Sequence, residues 1–133
     1  MNAQNYSTKE TAYFTRVRMD ILPLLPAYSE SVLEIGCGNG ATLRYVKEAG
    51  LCKLVHGMEL TEAMGQEAKP HIDQLWVGDA EVLIHSMEAS QYNVILCLDV
   101  LEHLVDPWSF VAQLSRLLKP GGCIIASIPN LRT

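Results

Sequence analysis

The sequence predicts a doubly wound α/β domain built on one parallel sheet. Short apolar runs alternate with amphipathic stretches along the whole chain, and a glycine-rich turn follows the first run. Each run also leaves polar or glycine residues at its end. Strands that alternate with helices around one core pair in parallel through right-handed crossovers.

The elements follow in order. Ser7 with Glu10 three residues on forms a capping box, and Tyr13, Phe14, Val17, Ile21 and Leu22 supply a helical apolar face that Pro23 and Pro26 end. Residues 31–35 read as the first strand, and residues 41–48 as a helix closed by Gly50. Residues 54–58 form a second strand that ends at Glu59. Residues 61–68 form a short helix stopped by Pro70, and residues 74–77 a third strand leading to Gly78 and Asp79. A helical turn or two suits residues 82–88. The continuous apolar run over 92–98 reads as a central strand buried on both faces. Residues 108–118 are amphipathic up to Pro120-Gly121-Gly122, and residues 123–128 make a fifth strand closed by Pro129.

At 133 residues the chain holds one domain, with residues 1–30 as a lid helix and connector and residues 31–133 as the core. A net charge of -5 lacks the basic face that nucleic-acid backbones require, so no nucleic-acid partner is expected. Four cysteines without a C-x-x-C pair fit a reducing, cytoplasmic setting, and three of them lie in or beside apolar runs, where cysteine packs as a small hydrophobe. No leader or long apolar span is evident, so no membrane partner is expected.

The segment Val32-Leu33-Glu34-Ile35-Gly36-Cys37-Gly38-Asn39-Gly40 carries the chemistry. Small residues between a strand and a helix let backbone approach a ligand closely. Gly36-x-Gly38-x-x-Ala41 also satisfies a dinucleotide pattern, but a fixed carboxylate, Glu34, serves a pyrophosphate poorly. S-adenosylmethionine (SAM) carries no phosphate, and its α-ammonium gives Glu34 a partner. Glu59, about twenty residues beyond the loop, can accept from both ribose hydroxyls, and Asp79 can take an adenine amino group with a backbone N–H meeting the ring. Each acid also has a plainer reading: Glu34 as a carboxylate satisfied by nearby N–H groups, Glu59 as a helix cap, and Asp79 as the cap of the turn that follows.

These residues, with Tyr92 to Leu104 and Leu118-Lys119-Pro120-Gly121-Gly122, closely resemble the class I SAM-dependent methyltransferases from about Ser31 to the C-terminus. Asp99-x-x-Glu102-His103 with Lys-Pro-Gly-Gly looks most like the small-molecule, quinone-type and sugar-modifying branch. The resemblance implies a Rossmann-like sheet in the order 3-2-1-4-5, without the C-terminal antiparallel strand pair. It implies SAM as cofactor and S-adenosylhomocysteine as product. Gly36, Gly38 and Gly40 would shape the methionine pocket with Glu34 near the amino group. Glu59 would hold the ribose, Leu60 would pack on the adenine or on protein alone, Asp79 and Ala80 would read the adenine edge, and Leu98 would line the reacting end. The N-terminal helix, with Tyr6, Tyr13 and Arg16, would fold over the cofactor as a lid.

His103 is read either as the base for an oxygen acceptor or as a structural histidine in the Glu102-His103 turn. Asp99, Glu102 and His103 are metal-ligand types, but no further ligand pair accompanies them and no metal is expected. His56, His71 and His85 share no spacing and read as surface or packing residues. Leu98-Asp99-Val100-Leu101 replaces the Asn/Asp-Pro-Pro-aromatic motif of base and glutamine methylation, so a small-molecule oxygen, carbon or amine acceptor is expected. The chain ends at Thr133, just after the fifth strand, as a fragment or a minimal version would. That strand would then be an open apolar edge for a homodimer or a missing segment. The rival functions are a cofactor-binding module without methyl transfer and a nicotinamide-dependent oxidoreductase.

Overall fold

The computed structural model describes residues 16–129. Five parallel strands, β1 (Ser29–Ile35), β2 (Cys52–Glu59), β3 (Gln74–Val77), β4 (Tyr92–Leu98) and β5 (Leu118–Ser127), form one sheet in the order β3-β2-β1-β4-β5. The expected order and pairing are both present. The helices α1 (Ala41–Glu48), α2 (Glu62–Ala68), α3 (Ala80–Leu83) and α4 (Pro107–Leu117) fill the crossovers.

Alternation along β1 divides the core. Val32 joins Val55, Val94 and Leu96 under Leu43 and Val46 of α1 and Ala68 of α2. Leu33 and Ile35 join Met58, Ile95 and Cys97 under Ile84, Phe110, Leu114 and Leu117 on the other face. Both faces of β1 and β4 are therefore covered, which explains their unbroken apolar runs. Each fully buried aliphatic side chain contributes roughly 1.5–3 kcal/mol of burial free energy.

Two elements depart from the sequence reading. The helix expected up to Leu22 lies largely outside the described residues, Tyr6 and Tyr13 included. Within them, Arg16 and Val17 are in turn and bend, and Met19–Leu24 is a 3₁₀ helix. Pro23 inside that stretch lacks the amide an α-helix would use, and the Arg18 amide instead donates to Thr42 Oγ1 at 3.1 Å. The fifth strand begins at Leu118 rather than Cys123. Leu118 pairs with Tyr92 and Cys123 with Val94, so the Lys-Pro-Gly-Gly stretch becomes a bulge inside the strand. Gly121 sits there at φ +81°, and a Cβ on Gly122 would lie 3.0 Å from the Asn93 carbonyl oxygen.

Smaller shifts have local causes. α3 starts at Ala80 because the Asp79 carboxylate accepts from the Glu81 amide at 2.9 Å. Thr61 caps α2 rather than forming its first turn. Cys37, Cys52 and Cys97 are buried, whereas Cys123 is exposed on the edge strand β5. None of the helices among the described residues is long and apolar enough to cross a membrane.

His56 is a packing residue. Its Nδ1 lies 2.7 Å from the Tyr92 hydroxyl, and its ring meets Trp76 and Tyr92 edge-on. Burial lowers its pKa from the ordinary histidine value of 6.5. The unfolded chain then binds more protons below pH 6.5, so His56 costs stability as the pH falls through that region. Thermal unfolding of wild type and His56→Gln between pH 7 and pH 5 is expected to show the variant gaining relative to wild type at the acid end; parallel curves would refute this.

Candidate functional site

The carboxyl ends of β1, β2 and β3 converge through hydrogen bonds of the turns that follow them. After Ile35 the chain enters a loop whose Gly36, Gly38 and Gly40 have φ of +69°, +58° and +81°. A side chain at Gly36 would also place its Cβ 2.9 Å from Val100 Cγ2, and one at Gly40 would sit 3.2 Å from Ala68 Cβ. Gly40 is the N-cap of α1, and the Ala41 amide is taken by Asn39 Oδ1 at 3.1 Å.

Glu59, at the end of β2, ties this loop down. Its Oε1 accepts from the Gly38 amide at 2.9 Å, and its Oε2 accepts from the Thr61 amide at 2.9 Å and the Thr61 hydroxyl at 3.2 Å. Its main-chain carbonyl accepts from the Gly78 amide at 2.9 Å, which links the end of β3 to the same point. Leu60, next in the chain, is 70% exposed.

Above the loop lies a cavity of about 270 Å³ whose walls include Arg16, Arg18, Glu34, Gly36, Gly38 and Leu98. Glu34 is buried in β1, and its Oε1 has no hydrogen-bond partner among the described residues. Burial, with a smaller contribution from the Glu59 charge and against the opposing pull of Arg18, pushes its carboxyl up to about 8. Burial also pushes the Cys37 thiol beside it up to about 12, aided by the charges of Glu34 and Glu59, so that thiol is no nucleophile.

Arg18 closes the far side. Its guanidinium bonds Asp20 through Nε and Nη2, at 3.0 and 2.9 Å, and Asp99 through Nη1 at 2.9 Å. Asp99, just past β4, adopts a left-handed φ of +56°. It is held by its amide to the Ser127 carbonyl at 3.0 Å and by the Ser127 hydroxyl donating to Oδ1 at 2.9 Å. This clasp fastens the ends of β4 and β5 beside the cavity.

The structure thus brings Glu34, Gly36, Gly38 and Leu98 to one cavity and hangs Glu59 on its loop. Gly40 is buried behind the loop, against α2. Asp79 and the half-buried Ala80 stand at the end of β3, where Asp79 does cap the next helix. His103 lies apart on a 3₁₀ turn, its side chain 76% exposed and 3.5 Å from the Glu102 carboxylate. Among the lid residues Arg16 lines the cavity. The sequence reading missed Arg18, Thr42 and Ser127. No spacing marks them, because the partners through which they join separate segments lie 24 to 109 positions away in the chain.

Comparison with known proteins agrees with the fold and shows the family. A family model described as "Methyltransferase domain" matches residues 33–126. A ubiquinone biosynthesis O-methyltransferase of Coxiella burnetii is 30% identical over 105 residues, covering 74% of this chain and 43% of that protein. The protein of the same name from Maricaulis maris is 35% identical over 105 residues, covering 74% and 40%. The crystal structure of a SAM-dependent methyltransferase from Archaeoglobus fulgidus shares the fold, with a TM-score of 0.72 at 24% identity over 90% of this chain and 53% of that one. The chain spans less than half the length of these two curated relatives.

The buried carboxyl has a cost that can be measured. Because the Glu34 pKa is raised above its ordinary 4.5, the folded chain binds the extra proton between there and about pH 8, and stability declines as the pH rises through that range. In the ligand-free protein, Glu34→Gln is expected to gain on wild type by on the order of 1 kcal/mol per pH unit across it. A stability difference that stays constant from pH 5 to pH 8 would contradict this.

Proposed function

From the premise that this chain belongs to the methyltransferase-domain family, matched over residues 33–126, we propose that it binds SAM across the carboxyl ends of β1 to β4 and methylates a small-molecule oxygen. The observation that carries the reading is the buried Oε1 of Glu34 on the cavity wall, which has no hydrogen-bond partner among the described residues. An α-ammonium is the kind of group that would give it a partner, and the residues around it fit the rest of the cofactor. The glycine loop leaves room for backbone approach, Glu59 would accept from the ribose, Leu60 is exposed enough to cover an adenine, and Asp79 with Ala80 would meet its edge.

SAM supplies a methyl group on a sulfonium, which leaves as a neutral thioether, so the chain's task is alignment. Leu98 would wall the reacting end. Arg16, exposed at the cavity mouth, would face the cofactor carboxylate. The curated relatives named for ubiquinone biosynthesis O-methylation favour an oxygen acceptor. His103 would then be its base, free to reach an acceptor from its exposed turn.

Calorimetry with S-adenosylhomocysteine and NAD tests the reading. The former is expected to bind and NAD is not, and Glu59→Ala or Asp79→Ala is expected to weaken binding by about tenfold or more, the worth of a hydrogen bond to a charged group. NAD binding, or full affinity in both variants, would overturn it. Binding without transfer to any catechol or phenol would instead favour a cofactor-holding module.

A further inference from the structure

Glu59 is held more tightly than a hydrogen-bond acceptor awaiting a ligand needs to be, and the residue that holds it is so far only the cap of α2. Thr61 meets Oε2 twice, through its amide at 2.9 Å and its hydroxyl at 3.2 Å. The same hydroxyl oxygen also receives the Met64 amide, at a long 3.4 Å. A hydroxyl has one proton to give, and here it goes to the carboxylate; the cap on α2 uses only a lone pair.

A carboxylate offers about four acceptor positions. The Gly38 amide takes one on Oε1, and Thr61 takes two on Oε2. With both oxygens anchored, the group cannot turn about its last torsion, and its free acceptor position on Oε1 is fixed beside the glycine loop. A Glu side chain otherwise has several rotors to immobilise when it binds, so holding it beforehand raises affinity.

Resting on the reading that Glu59 accepts from the cofactor ribose, we propose that Thr61 is a positioning residue for ribose recognition. Its hydroxyl sets the Glu59 carboxylate, and its cap on α2 fixes the turn from which that carboxylate projects. Removing the hydroxyl would leave each oxygen on a single amide, a weaker hold against turning about that torsion. The loss would fall on ligands that carry ribose hydroxyls and spare those that do not.

The test is calorimetry on the full chain with S-adenosylhomocysteine and its 2′,3′-dideoxyribose analogue. Thr61→Val is expected to weaken the former by about tenfold and the latter by less than about twofold, with Thr61→Ser close to wild type. Thr61→Asp keeps a capping oxygen but has no proton to give. It is expected to show the same selective loss, which separates positioning from any weakening of α2. Equal weakening of both ligands in Thr61→Val and Thr61→Asp would overturn the proposal and leave Thr61 as a cap alone. A wild-type chain that binds both ligands equally would overturn it through Glu59. Failure of wild type to bind S-adenosylhomocysteine would instead strike the cofactor reading itself.

Discussion

A carboxyl buried near the end of the central strand of a parallel sheet, one of its oxygens without a partner among the described residues, is the constraint that organises this molecule. Glu34 is the penultimate residue of β1, on the face that also carries Val32, and is walled by strands on both sides. Apolar residues would be more stable there, since an unsatisfied buried polar atom costs about 1–3 kcal/mol. The fold carries that cost at the mouth of its glycine loop, which is the place where a cationic group could relieve it. Its Arg18 neighbour does not neutralise it by contact, because the guanidinium is committed to Asp20 and Asp99.

The second organising contact is the Glu59 side chain. By bonding the Gly38 amide it makes the loop after β1 depend on the end of β2, and its own carbonyl draws in Gly78 after β3. Three strand ends are thereby fixed relative to one another. Arg18 does the same at the other end, joining the segment before β1 to Asp99 after β4 and Ser127 at the end of β5. The walls of the cavity are thus rigid strand ends and their clasps, a suitable basis for alignment chemistry.

Much of this was legible in the sequence because it is local. The apolar runs at 32–35 and 92–98 are strands buried on both faces, and a strand buried on both faces reads as continuous hydrophobicity. Glu34, Gly36, Gly38, Glu59 and Asp79 were singled out because each lies at or beside a strand end, where chain order alone says a ligand would lie. What escaped is long-range. Nothing near Arg18 marks its reach to Asp99, and the 3₁₀ turn at Met19–Leu24 depends on Pro23 and on an amide spent across the fold on Thr42. The bulge in β5 was misread as a stop, since Pro-Gly-Gly signals both. Asp79 shows a different limit: a cap and a ligand-reading acid look alike in sequence, and here the cap is present whatever else the residue does.

On the proposed function, the Glu34 oxygen that has no partner among the described residues is reserved for a cation brought by the ligand. Calorimetry of S-adenosylhomocysteine binding in buffers of different ionisation enthalpy counts the protons exchanged. With the free carboxyl pushed up to about 8, binding at pH 7 is expected to release a proton, approaching one per chain, and affinity to rise with pH toward 8. Glu34→Gln would remove both effects. Tight binding with no proton exchanged, and an affinity unchanged from pH 6 to pH 8, would contradict the account.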